Sequence, residues 1–314
     1  MKHDFWLTMD DGTEIFVNKW LPNSSNKPSA VVQLAHGMVE HIGRYDAFAN
    51  FLATHNIVVY GNDHRGHGQT GVRQGKLGYF ADEDGFSKTS NDLYTITRLI
   101  KEQYPDIPLF LFGHSMGSFL VRHFIQKHSY LVDGVVLCGT GYHTESASHF
   151  AQKLALLLPP KKESTFLNQL VFGSYNRKIP DHQDDFDWLS RDPEAVQAYN
   201  DDPLTGFVPT AQFFYDLMTG LAFIHNDTRN EAIRPDLPML IMSGDSDPVG
   251  HYGRGVWKTA EMYVNAGLTE IITMLFQDGR HELLHESNHQ EVYQAVYNWI
   301  VQQLHTLNSK QLED

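Results

Sequence analysis

Two rhythms of apolar and polar positions divide this chain. Residues 5–20 alternate on either side of the polar turn 10–13, which predicts a β-hairpin. From residue 30 onward, short apolar runs typical of strands buried on both faces alternate with segments of helical periodicity. The runs are Ala30–Ala35, Ile57–Gly61, Leu109–Phe112 and Val132–Cys138, and the helical segments are Tyr45–Thr54, Phe86–Gln103 and Met116–Lys127. This alternation predicts βαβ units and a mostly parallel central sheet flanked by helices.

The second rhythm is interrupted in the middle of the chain. From about residue 142 to 234 the sequence is helical, irregular and rich in aromatic residues, without a clear strand. The earlier pattern then resumes in Met239–Ser243, Val256–Ala266, Glu270–Phe276 and Gln290–Leu304. We therefore predict an α/β core of residues 1–141 and 235–314, with residues 142–234 inserted between late strands as a helical cap or lid.

Composition narrows the range of partners and compartments. Of the 314 residues, 24 are basic and 38 are acidic, so the net charge is −14. This balance argues against nucleic acid and against electrostatic docking on anionic lipid. The N-terminus lacks the apolar core of a signal peptide, and no apolar run approaches the roughly 18 residues of a membrane span. Cys138, the only cysteine, lies in an apolar run typical of a buried, inert thiol. We expect a cytoplasmic protein.

A candidate nucleophile follows the third apolar run after the hairpin. Residues 113–117 read G-H-S-M-G, between a predicted strand and a predicted helix. A serine thrust outward from such a crowded turn needs glycines on both sides, and it meets the unpaired N–H groups of the helix N-terminus. The pattern therefore predicts Ser115 as a nucleophile, whereas a capping serine in an ordinary turn is the alternative.

A serine nucleophile needs a base, and the base needs an orienting acid. When the serine follows a strand of a parallel sheet, the acid and then a histidine are expected after later strands. His281 follows the last predicted strand, and the candidate acids are Asp247, Asp245 and Asp278. The loop after the run 30–35 should supply an oxyanion donor, so we predict that the backbone N–H groups of Met38 and Met116 form the oxyanion hole. Gly37 would allow the backbone to approach the substrate.

One competing motif points to another chemistry. Residues 281–285 read H-E-L-L-H, which matches the zinc-binding helix of many metalloproteases. The preceding Asp278-Gly279-Arg280 predicts a loop there instead, and a zinc site would leave the G-H-S-M-G turn without a role. We therefore expect no metal, with Glu282 and His285 in the first turns of a surface helix.

The motifs together resemble monoacylglycerol lipases and related lysophospholipases of the α/β-hydrolase family. The resemblance rests on H-G-M-V-E-H-I-G-R-Y at 36–45, D-H-R-G-H-G-Q-T at 63–70, G-H-S-M-G and the D-G-R-H segment, and it extends to W-L-S-R-D-P-E at 188–194. It implies the triad Ser115, Asp247 and His281, because the family's acid follows a glycine by three residues. It also implies that Glu40, Arg44 and His114 lie near the leaving group, although a buried ion pair that fixes the loop is an equal alternative. Ser118 departs from the glycine that is common at this position.

The resemblance implies hydrolysis of lipid-like carboxylic esters through an acyl-enzyme, without a cofactor. The same triad could serve a general carboxylesterase, thioesterase, peptidase or acyltransferase, and a non-catalytic binding protein is a further alternative. The expected partner is a small lipid-like ester, with transient contact between the cap and a membrane surface. Two apolar series in the insertion could line an acyl site or pack the cap on the core: Leu154, Leu157, Leu158, Phe166, Leu170, Val171 and Phe172, then Phe207, Phe213, Phe214, Leu217, Met218, Leu221 and Phe223.

Overall fold

The computed structural model describes residues 1–24, 26–180 and 182–311 and is built on one sheet of eight strands. Their order across the sheet is β1-β2-β4-β3-β5-β6-β7-β8; β1 and β2 pair antiparallel, β2 pairs antiparallel with β4, and the other pairs are parallel. The strands are β1 (Lys2–Thr8), β2 (Glu14–Trp20), β3 (Ala30–Ala35), β4 (Ile57–Asn62), β5 (Leu109–His114), β6 (Gly134–Cys138), β7 (Met239–Gly244) and β8 (Ile271–Phe276). The predicted hairpin and the predicted parallel strands are confirmed.

Helices cover both faces of the sheet, since every residue of the central strands is buried. The α-helices are α1 (Asp46–Thr54), α2 (Gly68–Gln74), α3 (Gly85–Gln103), α4 (Met116–His128), α5 (Glu145–Ala155), α6 (Thr165–Phe172), α7 (Pro193–Asp201), α8 (Ala211–Ile224), α9 (Asp227–Asn230), α10 (Arg254–Asn265) and α11 (His289–Gln311). Short 3₁₀ helices occupy Ile42–Tyr45, Ser129–Leu131, Tyr175–Lys178 and Leu283–His285. The expected fold, a mostly parallel sheet flanked by helices, is confirmed.

Helices α5 to α9 follow one another between β6 and β7, which are neighbours in the sheet. The polypeptide thus leaves the sheet after one strand and returns to the adjacent one. Helix α8 packs on α3 and α4 of the core and on α5. Because parallel strands end at a common edge, the loops after β3, β5, β7 and β8 meet there, close to this excursion.

The two layers of the core use different side chains. Phe124, Leu120 and Ile96 belong to the layer on one face of the sheet, and Phe48, Trp299 and Val292 belong to the layer on the other. Cys138 is fully buried, and burial raises the pKa of its thiol. Among the described residues, no helix is both long enough and apolar enough to cross a membrane.

Candidate active site

Ser115 lies in the turn between β5 and α4 with a strained backbone. Its φ of 50° and ψ of −120° are unusual for a residue with a side chain. Its N–H donates to the Cys138 carbonyl at 2.9 Å, and its own carbonyl accepts from the Ser118 hydroxyl at 2.6 Å. A side chain on Gly117 would collide with the Ala35 carbonyl, so the turn packs directly against the end of β3. These contacts hold the strained turn expected for an outward-facing serine.

Asp247 and His281 form a buried pair at the ends of β7 and β8. The His281 Nδ1 lies 3.0 Å from the Asp247 Oδ2, and the exposed fraction is 2% for the histidine and 0% for the aspartate. The second carboxylate oxygen accepts from the Val249 N–H at 2.8 Å, and Ser243 Oγ donates to Oδ2 at 3.0 Å. Asp245 instead accepts from the neighbouring Ser246 hydroxyl. Of the three candidate acids, Asp247 is the one that contacts His281.

The charge of Asp247 decides the protonation of His281. Burial alone would lower the pKa of His281, but the charge of Asp247 and its hydrogen bond raise that pKa above its usual value. Glu282 and Glu40 add to the same effect. The proton on Nδ1 faces the carboxylate, which leaves Nε2 as the nitrogen that can exchange a proton with another group.

Ser115 and His281 line the same cavity, whose volume is about 230 Å³. Within the described residues, no direct hydrogen bond joins the Ser115 hydroxyl to the His281 ring. Such bonds are often long before a substrate is bound and tighten in the reacting complex. The cavity therefore brings Ser115 and His281 to one space without a direct hydrogen bond between their side chains.

The loop after β3 presents a peptide group with one free side. The Gly37 carbonyl accepts from His36 Nδ1 at 2.7 Å, and His36 Nε2 accepts from the His64 N–H at 3.0 Å. Because a trans peptide directs its C=O and N–H in opposite directions, the Met38 N–H points away from the His36 ring. Among the described residues, neither the Met38 N–H nor the Met116 N–H donates to a protein acceptor. Both residues predicted as oxyanion donors are thus available for a ligand.

Glu40, Arg44 and Glu282 form a buried ion-pair group beside the cavity. Arg44 Nη1 donates to Glu40 Oε2 at 2.7 Å, and its two terminal nitrogens donate to Glu282 at 2.5 and 2.6 Å. Glu40 Oε1 accepts from the Gly37 N–H at 2.5 Å and from the Tyr45 hydroxyl at 2.8 Å. Glu40 and Glu282 line the cavity, whereas Arg44 lies outside its lining. The expected loop-fixing ion pair is therefore present.

His114 lies between this group and the base. Its ring centroid is 4.7 Å from that of His281, and burial together with His281 lowers the pKa of His114 to about 4. Glu40, His114 and Glu282 also bring potential metal-ligand atoms within 4.8 Å of one another. The guanidinium of Arg44 bridges both carboxylates and balances part of their charge.

The local structure of residues 281–285 does not fit the zinc-binding interpretation of H-E-L-L-H. Residues 281–285 form a bend and a 3₁₀ helix (Leu283–His285) instead of the α-helix that would put both histidines on one face. His281 Nδ1 faces Asp247, and His285 Nε2 faces the Arg44 carbonyl at 3.0 Å. The expectation of a surface helix is also wrong for Glu282, which is 4% exposed because it pairs with Arg44.

The inserted segment contributes both aromatic and polar side chains to the cavity lining. Of its two apolar series, Phe172 and Phe207 line the cavity. Leu154, Phe213 and Leu221, among others, pack in or against the core layer instead. The polar cap residues that line the cavity are Asn168, Gln169, Asn176, His182 and Asp185. The apolar series thus serve chiefly to pack the insertion.

Sequence reasoning missed two residues next to His281. Trp188 packs against the His281 ring, tilted by 37° with a centroid distance of 5.0 Å, and Glu282 forms the ion pair with Arg44. Trp188 lies in the W-L-S-R-D-P-E segment, which the sequence analysis used as part of the resemblance, but nothing in that segment indicates a contact with His281. The only feature of the sequence that pointed to Glu282 is its position directly after His281, the predicted base.

Known proteins resemble this chain over most of its length. Residues 26–288 match the family model Hydrolase_4, described as serine aminopeptidase, S33. A monoacylglycerol lipase from Mycolicibacterium smegmatis is 28% identical over 299 residues, covering 93% of this chain and 95% of that protein. A monoglyceride lipase from Mus musculus is 29% identical over 295 residues, covering 90% and 88%.

A solved structure shares the fold over nearly the whole length. A thermostable carboxyl esterase from Bacillus coagulans, in complex with glycerol, superposes with a TM-score of 0.89 at 27% identity, covering 96% of this chain and 99% of that one. The resemblance inferred from the motifs is confirmed, and the chain belongs to the Hydrolase_4 family of α/β-hydrolases.

Proposed function

We propose that the protein hydrolyses carboxylic esters of lipid-like substrates through an acyl-enzyme on Ser115. His281 Nε2 takes the proton of the Ser115 hydroxyl as Oγ bonds to the ester carbonyl carbon. His281 then protonates the departing alcohol, and the C–O bond breaks. A water molecule, deprotonated by the same imidazole, attacks the acyl-enzyme and releases the carboxylic acid and Ser115. Asp247 orients His281 and stabilises its charged form. The reaction needs no cofactor.

The observation that carries this proposal is the buried pair of Asp247 and His281 beside the cavity that Ser115 also lines. A carboxylate on Nδ1 keeps Nε2 unprotonated and directed to a reacting group. The strained turn of Ser115 supports the assignment independently, because such strain is retained where surrounding contacts over-determine it.

The backbone N–H groups of Met38 and Met116 are proposed to bind the oxyanion of the tetrahedral intermediate. Their lack of protein acceptors supports this role, since a buried N–H without a partner is costly. Met116 also begins α4, where the helix dipole favours negative charge. A donor of this kind typically contributes about 10²–10³ in rate.

Two features favour a monoester with a polar alcohol as the substrate class. The relatives from Mycolicibacterium smegmatis and Mus musculus are a monoacylglycerol lipase and a monoglyceride lipase. Glu40 and His114 line the cavity beside the base and can accept hydrogen bonds from hydroxyl groups. We propose that they contact the leaving alcohol, with Arg44 and Gly37 supporting them.

Residues 142–234 are proposed to form a cap that controls access to the cavity and contacts a lipid surface. Large apolar side chains in and just after α5 and α6 are exposed: Phe150, Leu156, Leu157, Phe166 and Leu170. Leu157 is 80% exposed, and several such side chains close together in the sequence are typical of an interaction surface. Lys153 and Lys162 lie in the same segment, so the apolar side chains have basic neighbours suited to lipid head groups, whereas Lys161 pairs with Asp82.

The test combines a substrate panel with covalent labelling. The wild-type protein should turn over p-nitrophenyl butyrate and a monoacylglycerol, and a fluorophosphonate should label Ser115. Ser115→Ala should lose turnover and labelling, whereas Ser90→Ala should retain both, because the Ser90 hydroxyl donates to the Leu120 carbonyl and lies outside the cavity lining. Turnover of an aminoacyl p-nitroanilide in preference to the esters would favour peptidase activity. Retained turnover in Ser115→Ala would refute the proposal.

A further inference from the structure

Trp188 belongs to the inserted segment, yet its ring packs on the proposed catalytic base. The centroids of Trp188 and His281 are 5.0 Å apart with an interplanar angle of 37°. The tryptophan is 6% exposed, so little water reaches the space between the rings. An indole face attracts cations more strongly than any other aromatic side chain. The contact therefore favours an imidazole that carries a positive charge.

The position of this indole is set from two sides. Phe172 stacks on Trp188 at 5.8 Å and 27°, and Tyr175 packs against it edge-on at 4.8 Å. The Trp188 carbonyl accepts from the His281 N–H at 3.3 Å, so its backbone contacts the same histidine as its ring. The ring cannot move away from His281 without disturbing its contacts with Phe172 and Tyr175.

The residues next to Trp188 form hydrogen bonds with residues 280–286, the loop that carries His281. The Leu189 carbonyl accepts from the Glu282 N–H at 2.7 Å. Side chains add further bonds in both directions: Arg280 Nη1 to the carbonyls of Asp187 and Ser190 at 2.6 and 2.8 Å, Ser190 Oγ to the His285 carbonyl at 2.8 Å, and Arg191 Nε to Glu286 at 2.9 Å. Residues 187–191 are thus attached to the loop that carries the base.

The other charged and titratable groups near His281 influence whether its imidazole carries a positive charge. Asp247 bonds to Nδ1, and Glu282 and Glu40 contribute negative charge that is partly balanced by Arg44. His114 remains neutral near pH 7, because burial and His281 lower its pKa to about 4. Burial opposes the charged form of His281. An additional attraction for the imidazolium, from a neutral group, therefore has a large effect here.

We propose that Trp188 is a positioning residue for His281, holding the His281 backbone through its carbonyl and stabilising the imidazolium through its indole face. This inference rests on the proposed function. The imidazolium forms when the Ser115 proton moves to Nε2, and it disappears when that proton passes to the leaving alcohol. Trp188 thus acts in the transition state through His281.

The test replaces Trp188 by leucine and by phenylalanine and measures kcat and KM for p-nitrophenyl butyrate from pH 5 to 9. Trp188→Leu should lower kcat about tenfold and shift the acid limb of kcat/KM down by about 0.5–1 pH unit. Trp188→Phe should give smaller changes in the same direction. Trp257→Leu is the matched control, because it removes an exposed indole on α10 that lies outside the cavity lining; its acid limb should not move.

A second measurement separates positioning from folding and from activity. The His281 ring resonances, assigned with His281→Gln, report its titration in the resting protein. Trp188→Leu should lower that midpoint, and an unchanged midpoint in a folded variant would overturn the proposal. If Trp188→Leu does not fold, the smaller shift expected of Trp188→Phe decides. If the wild type neither turns over esters nor reacts with a fluorophosphonate, the proposed function fails, while the titration still tests the Trp188 contact.

Discussion

Arg44 and Glu282 are 238 residues apart in the sequence, yet they form two hydrogen bonds of 2.5 and 2.6 Å. Arg44 belongs to the loop region after β3, and Glu282 follows His281 after β8. The same guanidinium binds Glu40, which holds the Gly37 N–H. One cation therefore joins the loop of the proposed oxyanion donor to the loop of the proposed base.

Removing Arg44 should destabilise the fold strongly. Arg44→Met leaves Glu40 and Glu282 buried without their counter-charge, so we expect the free energy of unfolding to fall by about 3–5 kcal/mol. Urea unfolding followed by tryptophan fluorescence measures this loss. Adding Glu282→Gln to Arg44→Met should recover part of it, since one uncompensated charge is then absent. Arg98→Met, which removes an exposed pair with Glu102, should change little; an equal loss in both arginine variants would contradict the argument.

Asp247 should be the acid of the triad. Asp247→Asn keeps the size of the side chain but removes the charge that holds the proton on Nδ1 of His281, so we expect kcat to fall by about 10⁴. Steady-state kinetics with p-nitrophenyl butyrate measures the loss. Asp245→Asn, two residues away, serves as the control and should leave kcat within about twofold. A larger loss of kcat in Asp245→Asn than in Asp247→Asn would identify Asp245 as the acid of the triad.

His36 should influence the rate without touching substrate. His36→Leu removes the donor to the Gly37 carbonyl, so the Met38 N–H loses its orientation; we expect kcat to fall about tenfold or more with little change in KM. His36→Asn, which can keep a donor near that carbonyl, should lose less. The affinity for a boronic acid, which mimics the tetrahedral intermediate, should fall in parallel with kcat. A change in KM alone would contradict this role.

The pH dependence should show an acid limb above the usual histidine range. His281 must be neutral to accept the serine proton, and its pKa is raised by Asp247 in spite of burial. The value of kcat/KM should therefore fall as the pH decreases through a midpoint above about 6.5. In Asp247→Asn the residual activity should show a lower midpoint, since the neighbouring charge is gone. A midpoint below 6 in the wild type would contradict the pairing.

Much of the fold was predictable because both of its periodicities are local. Strands such as Ile57–Asn62 are continuous apolar runs, and Gly113 and Gly117 mark the turn that carries Ser115. His281 and Ser115 were found because each follows a strand that ends at the same edge of the sheet. Helix α2 was missed, since Gly68–Gln74 contains two glycines and lacks an apolar stripe.

What escaped prediction depends on distant contacts. Glu282 appeared to be a surface residue because nothing in its own segment shows the guanidinium that buries it. Phe172 and Phe213 carry the same apolar signal, yet the first lines the cavity and the second packs in the core. Trp188 contacts His281 through a fold-back of the insertion, and no periodicity encodes that contact.

The exposed apolar side chains of the insertion should govern binding to lipid without governing catalysis. Leu157 and Phe166 are 80% and 56% exposed and lie outside the cavity lining, so Leu157→Ser with Phe166→Ser should leave turnover of p-nitrophenyl acetate unchanged. Each of the two substitutions removes apolar surface that would enter a bilayer, and each CH₂ group buried in the bilayer contributes about 0.8 kcal/mol to the free energy of binding. Co-sedimentation with phosphatidylcholine vesicles should therefore fall at least tenfold, and hydrolysis of vesicle-borne monoacylglycerol with it. Val72→Ser, which removes an exposed apolar side chain elsewhere, should bind like the wild type. Unchanged sedimentation of the double variant would show that this surface does not contact lipid.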